Sequence, residues 1–368
     1  MERGVIVRLE ELKKYCGKKV LVTGHTGFKG SWLCQMLIHL GAEVTGYALG
    51  VPTMPSLYTY LDLAQYMDSV EGDVRDYHRL YQIVEAKKPD IVFHLAAQPI
   101  VRESYKSPRL TYETNVMGTV NILECVRNTN TVRSIINVTT DKVYMNREWC
   151  WGYRENERLD GYDPYSNSKS CSELVTQTYQ RAFLEERGIA VSTVRAGNVI
   201  GGSDFAKDRI IPDCVRAALE EKEIVVRNPE SIRPYQHVLE PLTAYLMMAI
   251  RQYEDKQVAG AYNVGPDEAN CVATKQIVSL FCKEWNLNGK GKVDWSYRRA
   301  DGEQHEAQIL KLDCSKIKTI FGWRPMWDIE RAMHETVKGY CLGANSYKNR
   351  EIINNQIKTY FEESSASL

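Results

Sequence analysis

The stretch Lys19-Val20-Leu21-Val22-Thr23-Gly24-His25-Thr26-Gly27-Phe28-Lys29-Gly30 decides how this chain folds. Its apolar run predicts a strand over Lys19 to Thr23. The glycines at 24, 27 and 30 then form a GxxGxxG turn that opens a helix from Lys29 to Leu40. Glycine at these positions permits a tight turn. It also lets backbone N–H groups and the positive end of the helix approach a pyrophosphate. Taken alone, the motif fits a plain strand-turn-helix equally well. Its position at the first strand-to-helix junction of an alternating chain points instead to a bound dinucleotide, with Gly24, Thr26, Gly27, Phe28, Lys29 and Gly30 around the phosphates.

Outward from this junction, short apolar runs alternate with helical patterns. Strands are predicted at Glu43 to Ala48, Ile91 to Leu95, Ile135 to Thr139 and Val191 to Val194. Helices are predicted at Asp76 to Ala86, Pro108 to Asn128 and Pro164 to Glu186. That rhythm predicts an α/β fold, a Rossmann-type doubly wound parallel sheet. Past Ala196 the spacing changes to a glycine-bearing loop, a helix Ile211 to Glu221, a strand Ile224 to Arg227 and a helix Leu239 to Tyr253. We therefore expect a smaller mixed α/β C-terminal substrate lobe from 198–235 and 266–317. The dinucleotide-binding domain would take 1–197, with 236–265 and 318–345 returning to it through strand Ala261 to Val264 and helix Asp328 to Tyr340. Residues 346–368 are expected to be a tail.

Bulk properties narrow the class. The 368 residues carry 47 Lys and Arg against 47 Asp and Glu, which gives no electrostatic reason to expect nucleic acid or an anionic membrane as partner. Ten cysteines are scattered singly, with no CxxC pair and no zinc-ligand spacing. We expect reduced thiols in a cytoplasmic protein and no metal. Charges interrupt every apolar stretch of the N-terminus, and no run approaches the roughly 18 apolar residues of a membrane span, so a soluble protein with a small-molecule substrate is expected.

A Rossmann-type site usually adds an acid at the end of the second strand to bind the adenosine ribose. Here that stretch reads Val44-Thr45-Gly46-Tyr47-Ala48-Leu49, without acid and without an Arg for a 2′-phosphate. The strand thus leaves NAD and NADP both open and implies a weakly held dinucleotide. Asp73, in Gly72-Asp73-Val74-Arg75, either holds the adenine amine or caps the following helix.

The second constellation is Asp163-Pro164-Tyr165-Ser166-Asn167-Ser168-Lys169. Asp as N-cap and Pro at the first helical position place Tyr165 and Lys169 one turn apart on one face. An adjacent ammonium and a helix N-terminus both favour phenolate, so Tyr165 is expected to have a lowered pKa and to act as a base. As an isolated spacing, the pair is equally a surface contact. Val138-Thr139-Thr140-Asp141-Lys142, at the carboxyl end of a predicted strand, supplies the rest of a site: a hydroxyl at Thr140 and two titratable groups beside it.

With these motifs the chain resembles the extended short-chain dehydrogenase/reductase family, and within it the nucleotide-sugar 4,6-dehydratases acting on CDP-glucose. General family features are Gly24 to Gly30, Leu95-Ala96-Ala97-Gln98, Thr114-Asn115-Val116, and Tyr165 with Lys169. More specific are His25 to Leu33, Arg195 to Gly202, Asp208 to Asp213, Arg233 to Glu240 and His305-Glu306-Ala307. The resemblance implies NAD as cofactor, contacted also by Asp73, Val74, Leu95, Ala96, Ala97, Gln98, Asn115, Tyr165 and Lys169. It implies a cycle in which sugar C4 is oxidised, water is lost across C5 and C6, and hydride returns to C6. Thr140, Tyr165 and Lys169 serve the redox half. Asp141 would protonate the leaving hydroxyl. Lys142 stands where dTDP-glucose relatives have Glu, and acts as the C5 base, orients Asp141 or offsets enolate charge. For the substrate, the guanidinium forks of Arg209 and Arg233 suit a diphosphate, and Asn198 suits sugar or phosphate. Gln98 and His305 follow from the resemblance. His237 either contacts substrate or pairs with Glu240. A nucleotide-sugar 4-epimerase is the rival enzyme reading, against which Asp141-Lys142 argues. A non-catalytic dinucleotide sensor is disfavoured because Tyr165 and Lys169 are both present. Relatives pair the two long helices across a dimer, so a homodimer is expected.

Overall fold

The computed structural model describes residues 9–288, 291–298, 308–340 and 345–366. Strands β1 (Lys19–Thr23), β2 (Glu43–Ala48), β3 (Asp68–Glu71), β4 (Ile91–His94), β5 (Ser134–Val138), β6 (Ala190–Ala196) and β7 (Ala261–Val264) form one sheet in the order β7-β6-β5-β4-β1-β2-β3. Every neighbouring pair is parallel. The chain reverses its direction of winding between β1 and β4, and the crevice outside their carboxyl ends is where such sheets bind ligands.

Helices α1 (Phe28–His39), α2 (Tyr77–Lys87), α3 (Gly118–Arg127), α4 (Pro164–Tyr179) and α6 (Leu239–Glu254) cover the two faces. Alternate strand residues divide between them, as period two demands. Val20, Val22, Phe93, Ile136 and Val194 pack with Trp32 and Met36 of α1 and Leu242 and Leu246 of α6. Leu21, Val92, Ile135 and Val191 pack with Leu80 and Val84 of α2 and Ile122 and Val126 of α3. Because both faces are covered, β4, β5 and β6 are buried at every position. Strand β3 is the opposite case. It is an edge strand whose residues are mostly exposed, so its sequence, Asp-Ser-Val-Glu, carries no apolar signature.

The second lobe has its own core, built from Ile211, Cys214 and Val215 of α5 (Ile210–Leu219) and Ile277, Phe281 and Trp285 of α7 (Thr274–Leu287). It corrects one expected boundary. Helix α8 (Ile329–Lys338) does not rejoin the first domain; Ile329, Ala332, Met333 and Val337 lie in the second core. Of the 318–345 segment, Phe321, Trp323 and Trp327 do return to the main core. The expected tail is corrected too. Ser346–Ala366 forms helix α9, and Ile353, Ile357, Tyr360 and Phe361, spaced one turn or less apart, are buried in the main core.

Glu240, at the start of α6, ties these parts together. Its buried carboxyl accepts from Met326 N at 3.0 Å, Trp327 N at 2.8 Å and the Tyr360 hydroxyl of α9 at 2.6 Å. Burial pushes its pKa up to about 7 against those hydrogen bonds. A carboxyl raised in this way gives stability that is full below its unfolded pKa and is lost as pH rises through about 7. Thermal unfolding is therefore expected to move to lower temperature between pH 5 and pH 8 by on the order of 1–3 kcal/mol of stability. Glu240→Gln should flatten that profile and be the more stable protein at pH 8. A variant with the wild-type pH slope would contradict the assignment.

Candidate active site

The carboxyl end of β5 and the start of α4 build the centre of the site. Asp163 caps α4 through Ser166 N at 2.9 Å and Ser166 Oγ at 2.6 Å, with Pro164 at the first helical position. The predicted geometry follows. Tyr165 and Lys169 share one face, Thr140 is close enough to favour the Tyr165 phenolate, and the Lys169 ammonium donates to the Val138 carbonyl at 3.0 Å. Thr140 Oγ1 donates to Asp141 Oδ1 at 3.0 Å, while the other buried Asp141 oxygen has no partner among the described residues.

Electrostatics here are dominated by burial. Burial raises the Asp141 pKa, opposed by Lys142, Thr140, Arg233 and Lys29. Burial lowers Lys169 to about 8, opposed by Glu173. The expected lowering of the Tyr165 pKa is not found. Burial raises it to about 12, and the groups that oppose this are Thr140 and Arg209. Loss of hydration around the phenol outweighs the nearby cations, so the Tyr165 hydroxyl is neutral before a ligand arrives.

The structure brings further predicted residues to this point. Lys29, in the first turn of α1, is lowered to about 8 by burial and by repulsion from Arg209 and Lys169. Arg209 is held by Asp204 at 3.0 Å. Arg233 is buried and donates to the Ile232 carbonyl at 2.9 Å. Cations thus surround one buried carboxyl, a field suited to a diphosphate. Asn198 lies partly buried just beyond β6, its carbonyl accepting from Gln236 N at 3.0 Å. Lys142 is partly buried beside Asp141.

Other expectations find less support. His237 is fully buried, edge-on to Trp32 at 5.9 Å and tilted against Trp327 at 4.9 Å. Its Nδ1 accepts from Leu239 N at 3.3 Å, so it packs in the core instead of presenting a surface to substrate. Nor does it pair with Glu240, whose acceptors are spent on Met326, Trp327 and Tyr360. Gln98 spends its side chain locally, on Thr111 Oγ1 at 2.9 Å and Ile100 N at 2.6 Å. His305 lies outside the described residues.

The phosphate loop fits a dinucleotide. Gly24 has φ +77°, and a Cβ there would stand 2.7 Å from Ala96 N. At Gly30 it would stand 2.1 Å from the Gly24 carbonyl oxygen. Gly27 is the N-cap of α1 and offers no side-chain cap, which leaves first-turn N–H groups for a ligand. Leu95, Ala96, Ala97 and Gln98 follow β4 across the crevice, partly exposed. Asn115 braces this segment, accepting from Gln98 N at 2.8 Å and donating to the Gln98 carbonyl at 3.1 Å and to Ser168 Oγ at 2.9 Å. Val74 is buried and its carbonyl accepts from Asn121 Nδ2 at 2.9 Å. Asp73 is not the cap of α2, a role Asp76 fills by accepting from Arg79 N at 3.0 Å. The Asp73 carboxylate is held by Arg75 at 2.5 Å, which lowers its pKa. One charged residue escaped the motif reading, Glu173, fully buried and paired at 2.9 Å with Arg195, which the sequence placed in a family block without a partner. The signal was available, since Tyr165, Lys169 and Glu173 continue one i, i+4 series.

Comparison with known proteins finds relatives over most of this chain. A CDP-glucose 4,6-dehydratase of Salmonella typhimurium is 47% identical over 88% of this chain and 90% of its own length. The crystal structure of a dTDP-glucose 4,6-dehydratase from Bacillus anthracis, in complex with NAD, shares the fold with a TM-score of 0.72 at 21% identity, over 91% of this chain and 98% of that one. A UDP-glucose 4-epimerase of Thermotoga maritima, solved with UDP-glucose, does so with a TM-score of 0.74 at 22% identity, over 88% of this chain and 98% of that one. Residues 21–336 match the model of one family, and with that match and the 47% identity the chain belongs to the GDP-mannose 4,6 dehydratase family.

Proposed function

We propose that this protein is a CDP-glucose 4,6-dehydratase, converting CDP-glucose to CDP-4-keto-6-deoxyglucose and water with NAD as cofactor. The observation that carries this reading is the buried Asp141 beside Lys142 at the end of β5, joined to the Thr140, Tyr165 and Lys169 set. An epimerase has no use for that acid. Bound at the phosphate loop, NAD would supply the hydride acceptor for sugar C4 and the hydride donor for C6. The chain does the rest. Gly24 to Gly30 and the N-terminus of α1 hold the pyrophosphate, with Asp73 at the adenine end. Thr140 orients the C4 hydroxyl, and Tyr165 takes its proton. The new 4-ketone acidifies C5. For the loss of water, Lys142 is placed to take the C5 proton and return it once C6 has been reduced, or to offset enolate charge, and Asp141, whose ionised form burial disfavours, is placed to protonate the departing C6 hydroxyl. Arg209, Arg233 and Asn198 hold the diphosphate and sugar.

The same reading carries a homodimer. Leu110 and Met117 on the segment leading into α3, and Leu174 and Phe183 on and just beyond α4, are all more than a third exposed, an apolar surface that supports pairing of these helices between copies. It also carries a cytoplasmic location, supported by the nine described cysteines, all free thiols. Among the described residues no helix is long and apolar enough to cross a membrane.

Incubation with NAD and each of CDP-, dTDP-, UDP- and GDP-hexoses tests the function. CDP-glucose is expected to give the strong alkaline ultraviolet absorbance of a 4-keto-6-deoxy sugar. Silence with all four would end the dehydratase reading, a preference for another nucleotide would reassign the substrate, and formation of a C4 epimer would move the protein to the rival class.

A further inference from the structure

Helix α4 is fastened to the end of β5 by three successive side chains of one face. Tyr165 meets Thr140, Lys169 donates to the Val138 carbonyl at 3.0 Å, and Glu173 accepts from Thr139 Oγ1 at 2.5 Å. Residues i, i+4 and i+8 of the helix thus take the three consecutive residues of the strand end on which the catalytic hydroxyl sits. Glu173 is fully buried and its carboxylate is saturated. Besides Thr139 it accepts from Thr193 Oγ1 at 2.6 Å and from Arg195 Nε and Nη2 at 3.0 and 2.9 Å. Arg195 is turned the other way, with Nη1 donating to Tyr144 Oη at 2.8 Å and the Glu155 carbonyl at 2.9 Å.

This matters for Lys169, whose ammonium has the Val138 carbonyl as its one hydrogen-bond acceptor among the described residues. Burial opposes the ammonium, and the groups that sense it from neighbouring elements are Lys29 of α1 and His94 of β4, one a like charge and the other a neutral ring. Among the described residues, the negative charge acting on it is that of Glu173. We propose that Glu173 is a positioning residue for catalysis: one turn beyond Lys169 on the same buried face of α4, its carboxylate aligns Lys169, while its hydrogen bond to Thr139 fixes the strand end that carries Thr140. The inference rests on the dehydratase reading only for what Lys169 is used for. The placement of Glu173 one turn beyond Lys169, hydrogen-bonded to Thr139, does not depend on that reading.

The experiment separates the two. Protein labelled at lysine Cε is titrated by NMR, the Lys169 signal being identified by its absence in Lys169→Arg, and kcat for CDP-glucose is measured over the same pH range. In the wild type the Lys169 midpoint is expected near 8. Glu173→Gln removes the carboxylate but leaves Arg195 unpaired in a site without water, so Glu173→Gln combined with Arg195→Met, which removes both charges, is tested beside it. In whichever variant folds, the Lys169 midpoint is expected to fall by about half a unit or more, because removing an anion disfavours the ammonium. The alkaline limb of kcat should move to lower pH with it, at unchanged KM. A lower melting temperature with the Lys169 midpoint still near the wild-type value would overturn the proposal and leave Glu173 a purely structural partner of Arg195. A shifted midpoint in a protein that turns over none of the nucleotide sugars would uphold the link and remove the dehydratase reading instead.

Discussion

Tyr165→Phe is expected to lower turnover of CDP-glucose by about 10²–10⁴-fold, the range for removing a positioned proton-transfer group. The loss should be confined to the chemical step. Tyr165 is partly exposed, and losing its hydroxyl removes its interaction with Thr140, while the backbone cradle of Gly24 to Gly30 is untouched. Dinucleotide binding, read by calorimetry, and the melting temperature should therefore stay close to those of the wild type. The neutral state of the free phenol sharpens the expectation. With burial holding its pKa near 12, Tyr165 cannot carry a standing negative charge at pH 7, so it becomes a base only when bound ligand shifts the local balance toward phenolate. Ultraviolet difference spectra of the unliganded wild type against Tyr165→Phe should accordingly show no tyrosinate absorbance from Tyr165 between pH 6 and 9. Unchanged kcat in the Phe variant would take Tyr165 out of the mechanism.

Asp141→Asn is expected to separate the two halves of the cycle. Asparagine keeps an oxygen to accept from Thr140 Oγ1 and nearly the same volume, but has no proton to give a leaving hydroxyl. Loss of water should slow by about 10²-fold or more, while C4 oxidation, which relies on Thr140, Tyr165 and Lys169, persists. Rapid quenching followed by mass spectrometry of the sugar would then find a 4-keto hexose that retains its C6 oxygen. Equal slowing of both halves would mean that Asp141 organises the site as a whole, and full turnover would show that the proton comes from elsewhere. The substitution also removes a buried acid whose ionised form is disfavoured, so no loss of stability at neutral pH is expected from it.

How much of this was legible in the chain follows from which physical signals are local. Strands β1, β2 and β7 stand where the apolar runs put them, and β4, β5 and β6 within two residues, because strands covered on both faces read as largely apolar runs. The caps were equally local: Asp163 and Pro164 fix the start of α4 and thereby the spacing of Tyr165 and Lys169. Strand β3 was silent because an exposed edge asks for no apolar side chains. Helix α9 was mistaken for a tail because its mean hydropathy is low, although the Ile353, Ile357, Tyr360 and Phe361 spacing marks a buried stripe.

What the amino-acid order determined by itself, then, was the doubly wound sheet, the phosphate loop and the residue types gathered at the ends of β1, β4 and β5. Those depend on periodicity, on glycine's freedom and on capping, all settled within a few residues of chain. Burial and long-range proximity were decided only by the tertiary structure. It put His237 between two tryptophans instead of at the substrate, set Arg209 and Arg233 near Tyr165 and Asp141, and closed Glu173 on Arg195 across two strands. The charge state of Tyr165 belongs to the same class, since a pKa is set by every group and every lost water around it, and those are assembled from distant parts of the chain only when it folds.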